Sequence, residues 1–284
     1  RMKLFNFYVN GHIHLGVLQD GTAHDATAGG YPAIPATMEH ALNGTLSLQA
    51  LETAAANGPV VDVETIHFAP AVTAPEKILC VGLNYAAHAK ESHMELPKYP
   101  TLFSKFSNAL LGHKEAIRLP ETAEKYDYEA ELVIVIGKEA RQVSKEEAPD
   151  YIFGYTAGND FSARDLQLRT TQWIMGKSFD GFAPLGPYIV PAREINANQL
   201  QIQSYVNGTL RQNSNTSDLI FDPATIVSYI SQYMTLKPGD VIYTGTPSGV
   251  ILGYPEDKQV WLKPGDTVTI KIEGIGELTN TLTW

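Results

Sequence analysis

Two glutamates stand two residues apart at the start of an apolar run. The segment reads Asp127-Tyr128-Glu129-Ala130-Glu131 and continues with aliphatic residues to Ile136. If this run is a β-strand, its side chains alternate between two faces, so Glu129 and Glu131 point to the same side. Like charges about 4 Å apart in a partly dry site repel each other by roughly 4 kcal/mol, and a bound cation removes that repulsion. Ligands that are all oxygen favour a hard divalent ion, Mg²⁺ first and Mn²⁺ or Ca²⁺ next.

A third carboxylate, Asp160, ends the short apolar segment 152–160, which reads as another strand. Chemically active groups are often presented where a rigid element ends. An isolated Glu-x-Glu, however, is more often an exposed strand end, and Asp160 alone is as well explained as a helix cap. Residue types and spacing alone therefore leave a metal site and these simpler interpretations open.

A histidine and a glutamate lie three residues apart in a polar stretch that can form a short helix. In a helix over 85–92, His88 and Glu91 share a face, and the carboxylate can orient the imidazole. Histidine suits acid–base work because it exchanges protons near neutral pH. The simpler interpretation is a surface histidine on a polar helix.

Further polar residues stand close to turns in the second half of the chain. Arg164 and Gln167 share a face if 163–172 is helical, Lys177 follows Gly176, and Thr246 lies in a Gly/Pro turn after a strand. That turn lacks the Gly-Lys-Ser/Thr ending of a phosphate loop. Each of these residues, taken alone, is as readily an ordinary surface residue.

The elements that would position these residues are mostly strands. Alternating or apolar runs bounded by Gly, Pro and Asp predict strands over 77–82, 131–136, 186–190, 201–206, 241–244 and 267–272. Helices are predicted over 47–56, 145–151, 163–172 and 222–233, the last capped by Asp222 with Pro223 at its first position. We expect a β-rich α+β fold with a small N-terminal α/β domain over residues 1–72 and a catalytic domain over 73–284.

Composition narrows the class of protein. The 284 residues carry a net charge of -10, which argues against nucleic-acid binding, and they contain no apolar run long enough to span a membrane. The one cysteine, Cys80, excludes an internal disulfide and reads as a core residue. The first residues lack the basic stretch and apolar core of a secretory signal, so the sequence predicts a cytoplasmic location.

Taken together and in order, the motifs resemble the fumarylacetoacetate hydrolase family over residues 78 to about 280. They are Gly82-Leu83-Asn84-Tyr85 with His88 and Glu91, Tyr128-Glu129-Ala130-Glu131, Gly158-Asn159-Asp160, Gly176-Lys177-Ser178-Phe179-Asp180, and Gly239-Asp240 followed by Thr244-Gly245-Thr246-Pro247 and Gly249. The resemblance implies a mixed β-sandwich roll and a homodimer. It also implies Mg²⁺ (or Mn²⁺) bound by Glu129, Glu131 and Asp160.

The resemblance further implies roles and a reaction class. His88 with Glu91 would activate water, Lys177 would act on developing negative charge, and Arg164, Gln167, Lys177 and Thr246 would bind the substrate. The implied activity is hydrolysis of carbon–carbon bonds in ketonic substances or decarboxylation of small 2-oxo acids, through an enolate held by the metal. An isomerase or tautomerase of hydroxy-dioates, a lyase of ureidoglycolate type, and a non-catalytic metal-binding β-sandwich module remain alternatives.

Overall fold

The computed structural model describes residues 1–30, 34–91 and 95–284, and the side chain of Glu91 lies outside the described part. The described residues form twenty strands and six α-helices, with short 3₁₀ turns between them. The strands are β1 (Met2–Val9), β2 (His12–Gln19), β3 (Thr22–Asp25), β4 (Val60–Val61), β5 (His67–Phe68), β6 (Ile78–Gly82), β7 (Thr101–Lys105), β8 (Leu110–Leu111), β9 (Ile117–Arg118), β10 (Tyr126–Asp127), β11 (Ala130–Ile136), β12 (Ile152–Asn159), β13 (Ser162–Ala163), β14 (Ala183–Pro184), β15 (Tyr188–Pro191), β16 (Gln201–Val206), β17 (Thr209–Asn215), β18 (Val241–Tyr243), β19 (Thr267–Ile272) and β20 (Gly276–Thr283). The helices are α1 (Met38–Leu42), α2 (Leu48–Ala56), α3 (Ala86–Glu91), α4 (Arg164–Gln167), α5 (Ile174–Lys177) and α6 (Pro223–Ser231).

A large mixed sheet forms the centre of the fold. Its strands follow the order β4-β3-β2-β1-β15-β12-β11-β18-β6-β7, and β5 also pairs with β1. Most neighbours are antiparallel, whereas β18 and β6 are parallel. Strand β11 lies between β12 and β18, so it is a central strand, as its apolar sequence predicted.

A second sheet packs on one face of the first. Its order is β17-β16-β19-β20-β9, and β16, β19 and β20 contact β11 and β12. Leu132 and Ile134 on β11 belong to the core between the two sheets, whereas Val133 and Val135 belong to a second core that includes Leu51 of α2. The period-two alternation of β11 therefore separates two apolar layers, and the sandwich architecture confirms the β-rich fold class.

The N-terminal segment joins the large sheet directly. Strands β1 and β2 form a hairpin around Asn10 and Gly11, both with positive φ, as the alternating sequence predicted. β1 also pairs with β15 through Leu4 and Phe5, so the sheet runs across the predicted domain border. The division at residues 72 and 73 stays a prediction.

Two predicted helices are shorter in the structure. The segment 145–151 holds only a 3₁₀ turn, Ala148–Tyr151, because Pro149 has no N–H and disfavours helical geometry in the residue before it. The helix predicted over 163–172 ends at Gln167, and further on Thr170 accepts a hydrogen bond from the Gln172 amide in a local turn. In contrast, α2 and α6 lie where they were predicted, with Ser47 and Asp222 as caps.

Candidate metal centre

The three acidic residues predicted to bind metal meet where β11 begins and β12 ends. Glu129 directly precedes β11, Glu131 is its second residue, and Asp160 directly follows β12. The antiparallel register pairs Ala130 with Asn159, and the Asp160 amide donates to the Glu129 carbonyl at 3.0 Å. One carboxylate oxygen from each residue lies within 4.8 Å of the others. The sequence thus placed all three residues correctly relative to the strands. We call them the acidic triad.

Three cationic side chains surround the acidic triad. The Arg164 guanidinium lies 2.8 Å from Glu129 Oε2, and Lys177 Nζ lies 3.2 Å from the same oxygen and 3.1 Å from Asp160 Oδ2. Lys105 Nζ lies 2.6 Å from Asp160 Oδ1. All three cations are almost fully buried, so each depends on these partners to offset its lost hydration.

Each triad carboxylate is contacted by at least one fixed protein group. Glu131 Oε1 accepts from the Gly245 amide at 2.8 Å, Glu129 Oε2 faces Arg164, and Asp160 Oδ1 faces Lys105. Because an ionised carboxylate has two acceptor oxygens, Glu129 and Glu131 each present a second one, whereas Asp160 Oδ2 faces Lys177 Nζ at 3.1 Å. Three buried carboxylate oxygens are a donor set that fits a hard divalent cation.

The two glutamates differ in their electrostatic surroundings. Burial acts to raise the pKa of Glu129, but Lys177 and Arg164 outweigh it and lower this pKa to about 2. Burial raises the pKa of Glu131 well above its usual range, and the charges of Asp160 and Glu129 add to that effect. Glu131 thus bears most of the mutual repulsion of the carboxylates, which a cation would relieve.

Arg164 is held by the side chains around it. Its Nε donates to Asp127 Oδ2 at 2.9 Å, and its Nη1 donates to Gln167 Oε1 at 3.0 Å. Asp127 also accepts from the amides of Ile251 and Leu252, each at 2.9 Å. Arg164 and Gln167 share a face of α4 as predicted, and Nη2 of Arg164 is buried without a hydrogen-bond partner among the described residues.

Thr246 lies beside the acidic strand, where a buried glutamine fixes it. Gln212 on β17 donates to Thr246 Oγ1 at 2.8 Å and to the Pro247 carbonyl at 2.9 Å, and it accepts from the Ala130 amide at 3.0 Å. Thr246 itself donates to the Ala130 carbonyl at 2.8 Å. The turn that carries Thr246 is therefore tied to the residue between the two glutamates.

Helix α3 carries the predicted base. Its start is fixed by Asn84, which bonds Thr244 and Phe221, and by the Ala87 amide, which donates to Asp218. His88 is half-buried in the helix, and the side chain of Glu91 lies outside the described residues. The paired action of His88 and Glu91 stays a prediction.

Sequence reasoning assigned no role to four residues around this site: Lys105 and Gln212, which it did not single out, and Tyr85 and Asp127, which it quoted only within motifs. The Tyr85 hydroxyl is buried and has no partner within the described chain, while burial and the charges of Glu131 and Asp218 raise its pKa. Asp127 stood in the acidic segment but carried no separate signal. Lys105 and Gln212 act across long sequence separations that local spacing does not reveal.

Two cavities lie away from the acidic triad. One of about 550 Å³ is lined by residues around Pro120, Phe179 and Trp284, and one of about 720 Å³ lies between the α1–α2 region and Phe153. Neither is lined by a triad residue.

Comparison with known families gives one clear match. Residues 77–283 match the family model described as fumarylacetoacetate (FAA) hydrolase, C-terminal. A fumarylacetoacetate hydrolase domain-containing protein 2 homolog of Dictyostelium discoideum is 48% identical over 220 residues, covering 73% of this chain and 72% of the relative. A mitochondrial oxaloacetate tautomerase of Xenopus laevis is 40% identical over 254 residues, covering 88% of this chain and 79% of the relative.

Solved structures share the whole architecture. A fumarylacetoacetate hydrolase from psychrophilic Exiguobacterium antarcticum superposes with a TM-score of 0.89 at 34% identity, covering 100% of this chain and 99% of that one. A maleylpyruvate hydrolase from Sphingobium sp. SYK-6, in complex with manganese(II) and pyruvate, gives 0.82 at 30% identity, covering 99% of each chain. A 2-hydroxyhepta-2,4-diene-1,7-dioate isomerase from Mycobacterium marinum gives 0.79 at 33% identity, covering 100% of this chain and 98% of that one.

Proposed function

Because the chain belongs to the fumarylacetoacetate hydrolase family, we propose that it is a divalent-metal-dependent enzyme acting on small 2-oxo acids. The observation that carries this proposal is the buried acidic triad with Lys177 and Arg164 against it. Glu129, Glu131 and Asp160 would hold Mg²⁺ or Mn²⁺. When bound, the metal supplies Lewis-acid polarisation of the 2-oxo carbonyl.

Among the family's reactions, keto–enol tautomerisation of an oxaloacetate-like acid has the most support. Relatives named oxaloacetate tautomerase are about 40% identical over 88% of this chain. This favours proton transfer over the hydrolysis or decarboxylation that the sequence placed first. Hydrolysis of a carbon–carbon bond is the second candidate, supported by the likeness to the maleylpyruvate hydrolase.

Lys177 suits the stabilisation of negative charge rather than proton abstraction. Burial acts to lower its pKa, but Asp160 and Glu129 outweigh burial, so its pKa is raised and the ammonium persists. Its Nζ also lies 5.0 Å from the centre of the Phe103 ring, which holds it in a water-poor position. A fixed ammonium of this kind stabilises the oxygen that becomes an enolate.

His88 is our proposed base. It would take the proton from the carbon next to the 2-oxo group, and that C–H electron pair forms the carbon–carbon double bond of the enolate. Protonation of the oxygen completes the enol, so the tautomerisation consumes no water. In the hydrolytic alternative His88 would instead take a proton from the attacking water.

The experiment is a comparison of Glu129→Gln with the wild type. We expect the variant to lose metal-dependent tautomerisation of oxaloacetate by at least the roughly 100-fold that even an outer-shell change can cost. Enol absorbance measures the rate, and pyruvate release in the same samples measures decarboxylation or hydrolysis. The exposed Glu139 at the far end of β11 gives the matched control Glu139→Gln, which should retain full activity. Unchanged turnover of Glu129→Gln with a chelator present would exclude the proposed metal site.

The assembly and location stay proposals. We propose a homodimer and a cytoplasmic enzyme, and size-exclusion chromatography with light scattering tests the first. Within residues 1–30, 34–91 and 95–284, no helix combines the length and apolar character that a membrane crossing requires.

A further inference from the structure

Gln212 is a buried residue of β17 that contacts both the acidic strand and the turn that carries Thr246, and the proposed reaction gives it no task. The residue is only 1% exposed, although β17 is the edge strand of the second sheet. Its side-chain amide accepts from the Ala130 amide at 3.0 Å and donates to Thr246 Oγ1 at 2.8 Å and to the Pro247 carbonyl at 2.9 Å. Both N–H donors and the carbonyl oxygen of this amide are therefore occupied.

The contacts of Gln212 allow only one orientation of its amide group. If its oxygen and nitrogen exchanged places, the oxygen would face the Pro247 carbonyl and the nitrogen would face the Ala130 N–H. Each encounter would then pair an acceptor with an acceptor or a donor with a donor. A buried amide with a single satisfied orientation keeps its partners at a fixed separation, so Gln212 is a rigid link between the acidic strand and the turn.

The first part of this turn depends on the acidic strand itself. The Thr244 hydroxyl donates to the Leu132 carbonyl at 2.6 Å, and the Gly245 amide donates to Glu131 Oε1 at 2.8 Å. Neither contact involves Gln212. We therefore expect the contact between the turn and Glu131 to persist when the Gln212 side chain is changed.

The second part of the turn begins with Thr246 and depends on β17. Thr246 Oγ1 donates its one hydrogen to the Ala130 carbonyl at 2.8 Å while it accepts from Gln212, so this hydroxyl bridges the acidic strand and β17. The main chain of β17 also packs closely here, because a Cβ on Gly249 would lie 2.3 Å from the Arg211 carbonyl oxygen. Loss of Gln212 would remove its two donated hydrogen bonds from this part of the turn and leave the first part in place.

We propose that Gln212 is a positioning residue that holds the second part of the turn against the acidic strand, and that it thereby sets the affinity for the substrate but not the affinity for the metal. Thr246, for which the family resemblance implies a substrate contact, lies in the part that Gln212 holds. Glu131, a proposed metal ligand, is contacted by the part that Gln212 does not hold. This inference rests on the proposed function, because it requires a metal and a 2-oxo acid at the acidic triad.

The test is the substitution Gln212→Glu, which keeps the shape of the side chain. A carboxyl group can still accept from the Ala130 amide, but it has at most one donor where the amide has two. We expect the Kd of oxalate, measured by calorimetry in saturating Mn²⁺, and the KM for oxaloacetate to rise about tenfold, because the lost hydrogen bonds loosen the turn. The Kd of Mn²⁺ alone, measured by electron paramagnetic resonance, and kcat should equal those of the wild type.

Gln232→Glu is the matched control. Gln232 follows α6, and its side-chain amide donates to the carbonyls of Val143 at 2.9 Å and Ser228 at 3.0 Å. The substitution therefore removes the same kind of hydrogen bond at a different place in the fold. The oxalate Kd, the Mn²⁺ Kd, KM and kcat of this variant should equal those of the wild type.

The outcomes separate the role of Gln212 from the proposed function. A wild-type protein that binds neither Mn²⁺ nor oxalate would overturn the proposed function itself. An unchanged oxalate Kd in Gln212→Glu would overturn the role of Gln212 alone. A Mn²⁺ Kd that rises as much as the oxalate Kd would overturn it as well, since the side chain would then support the whole site.

A second variant, Gln212→Met, covers the case in which the buried carboxyl group prevents folding. Methionine has a similar length, brings no charge and cannot donate either hydrogen bond. We expect its oxalate Kd to rise at least as much as that of Gln212→Glu, and urea unfolding shows whether the variant is folded. Oxalate binding equal to that of the wild type in folded Gln212→Met would refute the proposal.

Discussion

At the scale of single residues, the hydroxyl of Tyr85 stands out. It is buried and has no hydrogen-bond partner in the part of the chain that the structure describes. A buried hydroxyl without a partner costs about 1–3 kcal/mol. Tyr85 also precedes the helix that carries His88, and Glu131 acts on its pKa. We therefore expect the Tyr85 hydroxyl to form its hydrogen bond with a bound ligand and to contribute nothing to the stability of the fold.

Replacement of the Tyr85 hydroxyl separates a role in ligand binding from a role in folding stability. We expect Tyr85→Phe to leave the free energy of unfolding unchanged or to raise it by up to about 1 kcal/mol, because the change removes an unpaired buried hydroxyl. We also expect the variant to bind oxalate, an analogue of a 2-oxo acid, more weakly than the wild type does. Urea unfolding and calorimetry measure the two effects. In the control Tyr243→Phe, a hydroxyl that donates to the Pro184 carbonyl at 3.0 Å is lost, so stability should fall by about 1 kcal/mol. A loss of stability in Tyr85→Phe as large as in the control would contradict this reasoning.

At the scale of elements, close packing between β12, β11 and β18 positions Asp160. Gly158 lies two residues before it, and a Cβ there would stand 2.4 Å from the Tyr243 ring and 2.6 Å from a Val133 methyl group. Real Cβ atoms do not tolerate such distances, so the strands would have to separate. The glycine therefore allows β12 to approach its neighbours closely enough to deliver Asp160.

Gly158→Ala tests this packing. We expect it to lower the free energy of unfolding by about 1–3 kcal/mol through overpacking and to weaken Mn²⁺ binding by shifting Asp160. The control Gly253→Ala has no heavy atom within 4 Å of the added Cβ and should change stability by less than about 0.5 kcal/mol. Equal stability of both variants in urea unfolding would show that β12 accommodates the methyl group.

The local sequence pattern predicted the strands well, but it did not predict the residues that contact the acidic triad from distant parts of the chain. Alternation along β11 gave the correct faces for Glu129 and Glu131 because strand geometry is local. Helix lengths after Ala163 were overestimated because side chains such as Thr170 form turns that compete with helix. Lys105 was missed because its partner Phe182 is 77 residues away, a pairing that only the folded sheet creates.

At the scale of the whole molecule, His113 connects distant parts of the chain. Its ring packs against Phe68 at 5.2 Å between ring centres, and its Nδ1 accepts from the Thr279 amide at 2.9 Å. Burial, with a contribution from Lys114, lowers the pKa of His113 to about 4. The folded protein therefore requires the neutral imidazole at this junction.

This lowered pKa predicts a pH dependence of stability. Between the ordinary histidine pKa of about 6.5 and the folded value of about 4, the unfolded chain binds more protons at this histidine than the folded protein does. The contribution of His113 to the free energy of unfolding is therefore complete above pH 6.5 and decreases as the pH falls toward 4. After allowance for partial exposure we expect a loss of about 2 kcal/mol. His113→Asn removes the titration, so the stability difference between wild type and variant should shrink between pH 7.5 and pH 4.5 in urea unfolding. Parallel curves for the two proteins would disprove it.

The pairing of β1 with β15 covers what would otherwise be an open edge of the large sheet. In a fragment limited to residues 77–283, the part that the family model matches, β15 would become an edge strand with free main-chain N–H and C=O groups. Exposed edges recruit strands from other molecules, so such a fragment would self-associate. Strand β1 thus covers the edge of the sheet that carries the acidic triad and keeps that edge from pairing with other molecules.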